Sequence, residues 1–335
     1  MDRRYYFLKG GIMTDVKEPL QLGSSGDTLR EAFGRGITQL ASENKRIVVL
    51  DADVAGGTGL HHFRKAFPDR FIQCGIAEQN MMAMAGGLAA TGLIPIVTTF
   101  AVFALRAVEQ ARLSLAYTER NVKIVASHPG LDVGPDGASA QCLEDLAIFR
   151  AIPGMTVLSA ADPNEAYAAA EVIVEFNGPL YLRTGRSPAK TVYGSAHKMT
   201  IGKGDILVDG DDVTIIACGV EVARAVEASK LLKNDGISAR VVNMSSIKPL
   251  DRHLIETCAR ETGAIVSAED HNIYGGLGGA VAEALTMTFP VPQEFVGVRD
   301  TFGKSGEPEE LAELYGLTAQ FISEAARKAI MRKGK

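Results

Sequence analysis

Short apolar blocks, most of them ending in acids, histidine or glycine, recur along the chain and predict buried strands. In the first half they are RIVVLDAD (46–53), RFIQCGIA (70–77), LIPIVTTF (93–100), VKIVASH (122–128), MTVLSA (155–160) and GPLYLRTG (178–185). Segments with helix-like spacing separate them at 27–44, 78–91, 102–118 and 162–176, and Asp162 followed by Pro163 makes an N-cap and first-turn pair for the last. A turn-rich stretch runs from Ser187 to about Asp212. The alternation then resumes, with strands at 212–219, 237–244, 264–270 and 294–300, helices at 220–236 and 275–285, and two more helices before the C-terminus. Strand and helix in turn predict an α/β fold class, with two three-layer domains built on parallel sheets. The expected bounds are an N-terminal extension at 1–19, a first domain at 20–190, a linker at 191–211 and a second domain at 212–335.

Composition narrows the function classes. The chain has 335 residues, 46% hydrophobic and 22% charged, which suits two globular domains. A net charge of −5 gives no basic footprint for nucleic acid or an anionic membrane surface. No apolar run reaches the roughly 18 residues of a membrane span, and the N-terminal stretch has no apolar core of a secretory signal. A cytoplasmic location is expected, and Met13 is a reasonable alternative start. The four cysteines lie far apart without C-x-x-C, so free thiols are expected rather than disulfides or structural zinc. His61 and His62 are adjacent, and neighbours on a helix point in different directions, so they make a poor metal motif.

Ligand sites in such sheets lie beyond the carboxyl ends of the strands. The unusual residues collect there: Asp51 and Asp53, then Glu78, Phe100 and Phe103, His128, and finally Arg183 and Arg186. Glu78 sits in a small and apolar stretch, either as a first-turn acid favoured by the helix dipole or as a working acid. Phe100 and Phe103 are spaced i, i+3 with Arg106 on the same face, which suits core packing or a platform for a flat heteroaromatic ligand. His128 is a strand-end cap or a ligand. The loop GLDVGPDGASAQ (130–141), with Asp132 and Asp136, is a solvated Ω-loop or one that closes on a polyol or cofactor. YGGLGGA (274–280) fails the dinucleotide fingerprint and reads as close helix–sheet packing.

VLDADVAGGTG, RFIQCGIAEQNMMAMAGGLAATG, TTFAVFALRAVEQ, SHPGLDVGPDGASAQCLEDLAIFRAIPGMTV, GPLYLRTGRSP, IIACGVEVARAVEA and EDHNIYGGLGGAVAEAL occur in the order found in one family. Together they resemble the C-terminal part of transketolase, its pyrimidine-binding domain followed by its C-terminal domain. The resemblance covers about residues 20–330 and is nearest to the C-terminal subunit of split transketolases. It implies thiamine diphosphate as cofactor, with Glu78 as the catalytic acid on the aminopyrimidine N1′ and Phe103 stacked on that ring beside Phe100. It places Asp53 and Arg106 with the cofactor, Arg106 standing where transketolase has a tyrosine and 1-deoxyxylulose-5-phosphate synthase an arginine. It assigns His128, Asp136, Arg183 and Arg186 to the sugar phosphate substrate, Asp136 on a hydroxyl and the arginines on the phosphate. Two positions depart from the family: Ala140 replaces a histidine and Gly57 a serine, which puts standard pentose phosphates in question. The family's G-D-G and following Asn are absent, so Mg²⁺ or Ca²⁺ and the diphosphate are expected on a partner, the N-terminal subunit. A homodimer of this chain inside a heterotetramer follows, inactive without the partner. Alternatives are the β chain of a 2-oxoacid dehydrogenase first component, a 1-deoxyxylulose-5-phosphate synthase-like subunit, and a non-catalytic relative. The sugar loop and YLRTGR favour a sugar.

Overall fold

Two sheets organise the chain in the computed structural model, which describes residues 20–24 and 26–334. The expected extension at 1–19 lies outside the described residues. The first sheet has seven strands in the spatial order Ser246–Lys248, Thr156–Ser159, Leu180–Thr184, Lys123–Ser127, Ile94–Phe100, Ile47–Asp51 and Phe71–Gln73. The second has five, in the order Gln293–Val298, Ile265–Asn272, Val213–Ala217, Ala239–Asn243 and Asp205–Val208. The central strands are buried along their whole length, which is why they read as continuous Ile, Val and Leu runs rather than alternating ones. The two-domain α/β expectation holds.

Each sheet is parallel except at one edge. Asp205–Val208 pairs antiparallel with Ala239–Asn243, so part of the stretch expected as linker is an edge strand of the second sheet. Ser246–Lys248 belongs to the second half of the chain yet pairs antiparallel with Thr156–Ser159 of the first sheet. Both strands are short and cover edges that would otherwise be open. Neither carries a long apolar run, so neither was legible from hydrophobic pattern. The helices Asp145–Ala151 and Arg252–Thr262 were also missed.

The segment expected as one helix at 102–118 is broken. It runs as α at Ala101–Ala104, 3₁₀ at Leu105–Ala107, α at Val108–Gln110 and π at Ala111–Ala116. Its buried seam is Ala101, Ala104, Ala107 and Ala111, all 0% exposed. The seam steps by three residues from Ala104 to Ala107 through the 3₁₀ turn and by four from Ala107 to Ala111, where the π segment begins. The chain thereby keeps small residues against the sheet and turns Phe103 and Arg106 towards its carboxyl edge.

Candidate functional site

Glu78 is the first residue of the helix Glu78–Ala90, whose N-cap, Ala77, offers no capping side chain. Its residue is only 4% exposed. Arg106 Nε lies 3.5 Å from Glu78 Oε2, and Arg106 itself is largely solvent-exposed. Among the described residues no hydrogen-bond donor is seated on the carboxylate, so a buried acid keeps acceptor capacity at the sheet edge. Phe100 ends the strand Ile94–Phe100 and stacks on Phe103 at 5.3 Å between ring centroids, 14° from parallel. Its ring also stacks on His128 at 3.7 Å. Phe100 thus joins the side holding Glu78 and Arg106 to the side holding His128.

His128 follows its strand with φ +58°, a left-handed conformation uncommon outside glycine, and Ser127 Oγ lies 2.9 Å from His128 Nδ1. Burial first, then the Arg30 and Arg186 guanidiniums, push the imidazole down to about 3. It is therefore a neutral ring beside two cations. Arg30 escaped the sequence reading. Its Nη1 donates to the Gly57 carbonyl at 2.7 Å, and its Nε is buried with no partner among the described residues. A signal existed: Arg30 is the second residue of helix Leu29–Glu43, where the dipole disfavours a cation.

Gly57 has a packing reason to lack a side chain. A Cβ there would come 2.5 Å from the Phe100 ring. Ala140 is half-buried near the end of the same glycine-rich loop. That loop is fixed to the second domain: Asp270 accepts from Leu131 N at 2.8 Å and Asp132 N at 3.0 Å, and Gln141 Nε2 donates to the Lys304 carbonyl at 2.9 Å. Gly130, at φ +67°, is required where a Cβ would stand 2.1 Å from Asp270 Oδ2. The loop is therefore a built wall rather than a solvated Ω-loop. Asp132 is one of its anchors, accepting from the backbone of Arg186 at 2.8 Å and Ser187 at 3.0 Å. This leaves the Arg186 side chain over the edge, 3.9 Å from Asp136.

Arg183 departs from the expectation that it grips a phosphate. It is 4% exposed. Its Nε and Nη2 bond the two oxygens of Asp145 at 3.0 and 2.8 Å, and its Nη1 donates to the Asp270 carbonyl at 2.8 Å. Tyr181 donates a third bond to Asp145 at 2.6 Å. Against the penalty of burial, the Arg183 guanidinium holds the Asp145 carboxyl below its ordinary range. Arg183 is a tie between the domains. Asp51 is also structural: it is 0% exposed and accepts from Val54 N and Gln73 Nε2. Asp53 is exposed at φ +65°, with its N–H on Gln73 Oε1, and so reaches the edge. The glycines at 274–280 pack as expected, because a Cβ on Gly278 would meet Phe295 at 2.6 Å, and the Glu269 carboxylate receives Leu277 N and Gly278 N.

Residues 26–191 match the family model for the transketolase pyrimidine-binding domain, and residues 202–322 that for the transketolase C-terminal domain. A putative transketolase C-terminal section from Methanocaldococcus jannaschii is 44% identical over 92% of this chain and 96% of its own length. The chain belongs to the transketolase family. A 6-deoxy-6-sulfo-D-fructose transketolase subunit from a Clostridium species is 40% identical, covering 95% of this chain and 99% of that one. A solved split-gene transketolase, described as an inactive β4 tetramer, is 48% identical with a TM-score of 0.87, covering 92% of this chain and 100% of that one. This transketolase-family chain therefore matches relatives that are themselves C-terminal sections or subunits over nearly their full length.

Proposed function

We propose that this chain is the C-terminal subunit of a thiamine-diphosphate transketolase that moves a two-carbon ketol unit from a ketose to an aldose. The observation that carries the reading is Glu78, buried and free of hydrogen-bond donors among the described residues, and linked at the sheet's carboxyl edge through Arg106 to the segment that carries the stacked Phe100–Phe103 pair. These residues fit an aminopyrimidine: a carboxyl for a ring nitrogen, aromatic faces for the ring, Asp53 and Arg106 at the rim. Thiamine diphosphate, when bound, supplies the electron sink that ketol transfer needs. Glu78 holds a proton at the pyrimidine N1′, and the buried wall behind it limits water. Arg30 and Arg186 offer guanidinium forks to an anionic sugar terminus. His128 adds a neutral hydrogen-bonding edge, and Asp136 takes a hydroxyl.

The diphosphate and its Mg²⁺ or Ca²⁺ belong, in this proposal, to an N-terminal partner subunit. The helix Glu78–Ala90 supports a second copy of this chain in the assembly. Its inward side packs Met81, Met82 and Ala85, while its outward side, beyond the exposed Gln79 and Asn80 of the first turn, carries Ala83, Met84, Gly87 and Ala90. Ile76, two residues before the helix, is 81% exposed and adds an apolar side chain at its start. A helix apolar on both sides is normally covered on both, which fits a homodimer within a heterotetramer. Among the described residues no helix is long and apolar enough to cross a membrane, and a cytoplasmic setting is part of the proposal.

Ala140 and Gly57 remove two polar side chains, so the anionic end of the sugar rests on the arginine pair. The test is ketol transfer by the two-chain enzyme from a panel of ketoses with a phosphate, a sulfonate or a neutral terminus. The sulfonate is included because the Clostridium relative is named for one. Transfer abolished by Glu78→Ala is expected, with an anionic ketose preferred. Turnover of a 2-oxoacid instead of any ketose would move the chain to the dehydrogenase alternative.

A further inference from the structure

Two clusters outside the edge described above each bring three metal-ligating side chains together: Glu165 with His197 and Asp205, and Glu31 with His61 and His62. In the first the oxygens are committed. Asn243 Nδ2 donates to both Glu165 oxygens, Ala161 N to one of them, and the Tyr193 hydroxyl to Asp205. That cluster is a polar clamp between the domains.

The second cluster is different. Glu31 lies on helix Leu29–Glu43, and the two histidines open the short helix His61–Ala66 packed against it. His62 Nε2 is 3.0 Å and His61 Nε2 3.8 Å from the same oxygen, Glu31 Oε2. The adjacent histidines thus converge after all, because at the first turn of a short helix both rings swing back to one carboxylate, with their centroids 4.0 Å apart. Among the described residues no other side chain donates to the Glu31 carboxylate, and all three ligands are partly exposed.

We propose that Glu31, His61 and His62 bind a divalent transition metal of the Zn²⁺ class. Two imidazole nitrogens and one carboxylate oxygen are a donor set for Zn²⁺ or Co²⁺, with water completing the shell. Mg²⁺ prefers an oxygen set and is poorly matched. His61 Nδ1 is buried without a partner among the described residues, so the outer-shell acceptor that sharpens zinc sites is missing there. The expected affinity is micromolar. This ion is separate from the diphosphate-bound metal proposed on the partner. It would join two helices next to Arg30, whose guanidinium holds the Gly57 carbonyl.

The test titrates the chelator-treated full chain with Zn²⁺ by calorimetry and with Co²⁺ by visible absorption. One equivalent per chain is expected. His61→Ala, His62→Ala and Glu31→Gln should each weaken binding at least about tenfold, while exposed His253→Ala leaves it unchanged. Thermal melts show that each variant is folded, and His62→Gln serves as a smaller change if His62→Ala does not fold. No Zn²⁺ heat and no Co²⁺ band, or binding that persists unchanged in all three variants, would overturn the proposal.

Discussion

Glu78 carries the strongest single-residue prediction because, among the described residues, the other buried carboxylates at this edge, Asp51 and Asp270, already receive hydrogen-bond donors and Glu78 does not. In the assembled enzyme Glu78→Gln should lower kcat by about 10²–10⁴, the range of a positioned acid–base group, with the circular dichroism spectrum unchanged. Arg183 and Arg186 separate by the same logic. Arg183→Met strands the buried Asp145 carboxylate, and the loss of a buried pair's partner costs about 3–5 kcal/mol, read from urea unfolding of the chain. Arg186→Ala should leave that unfolding curve within about 0.5 kcal/mol and raise KM for an anionic ketose. His128 predicts a pH effect. The unfolded imidazole binds its proton near 6.5 and the folded one only near 3. Between those values the unfolded chain holds more protons, so the stability linked to this group is complete above about pH 6.5 and is lost as pH falls towards 3. His128→Asn should flatten the acid side of a plot of unfolding midpoint against pH. At this scale, position just beyond the strands marked Glu78, the phenylalanines, His128 and Arg186 as candidates. It could not show that Arg183, three residues before Arg186, points inward, because that depends on Asp145 and Asp270, which are distant in the chain.

Elements decide how those residues meet. The central parallel strands were legible because they are buried on both sides, and their apolar runs are the direct record of that burial. The short edge strands Asp205–Val208 and Ser246–Lys248 were not, since their pairing is set by the partner strand rather than by their own pattern. The broken helix after Phe100 was hidden for a related reason: a 3₁₀ and a π segment both look helical in composition, and only the alanine spacing marks the change. That geometry makes Gly57 a sensitive position. Gly57→Ser would push its Cβ into the Phe100 ring, moving the stack that links Phe103 to His128. The apparent affinity of the assembled enzyme for thiamine diphosphate should fall about 10-fold to 100-fold, as expected for a displaced positioning group, while Gly57→Ala shows a smaller change of the same sign.

At the scale of the whole molecule, both domains build the edge that carries the candidate site. Asp270 of the second domain fixes the loop at 130–141, and Arg183 of the first reaches the Asp270 carbonyl, so neither domain completes the wall alone. The chain nonetheless offers no oxygen cage for a diphosphate-bound metal in its sequence, and the apolar outward face of helix Glu78–Ala90 asks for cover. In the proposed reading, an N-terminal partner supplies that cage and a second copy of this chain covers that face. The most direct test measures ketol transfer by this chain alone, by the N-terminal partner alone and by the two mixed, each with thiamine diphosphate and Mg²⁺. The account predicts activity in the mixture only. Turnover by the isolated chain at the rate of the mixture would contradict it.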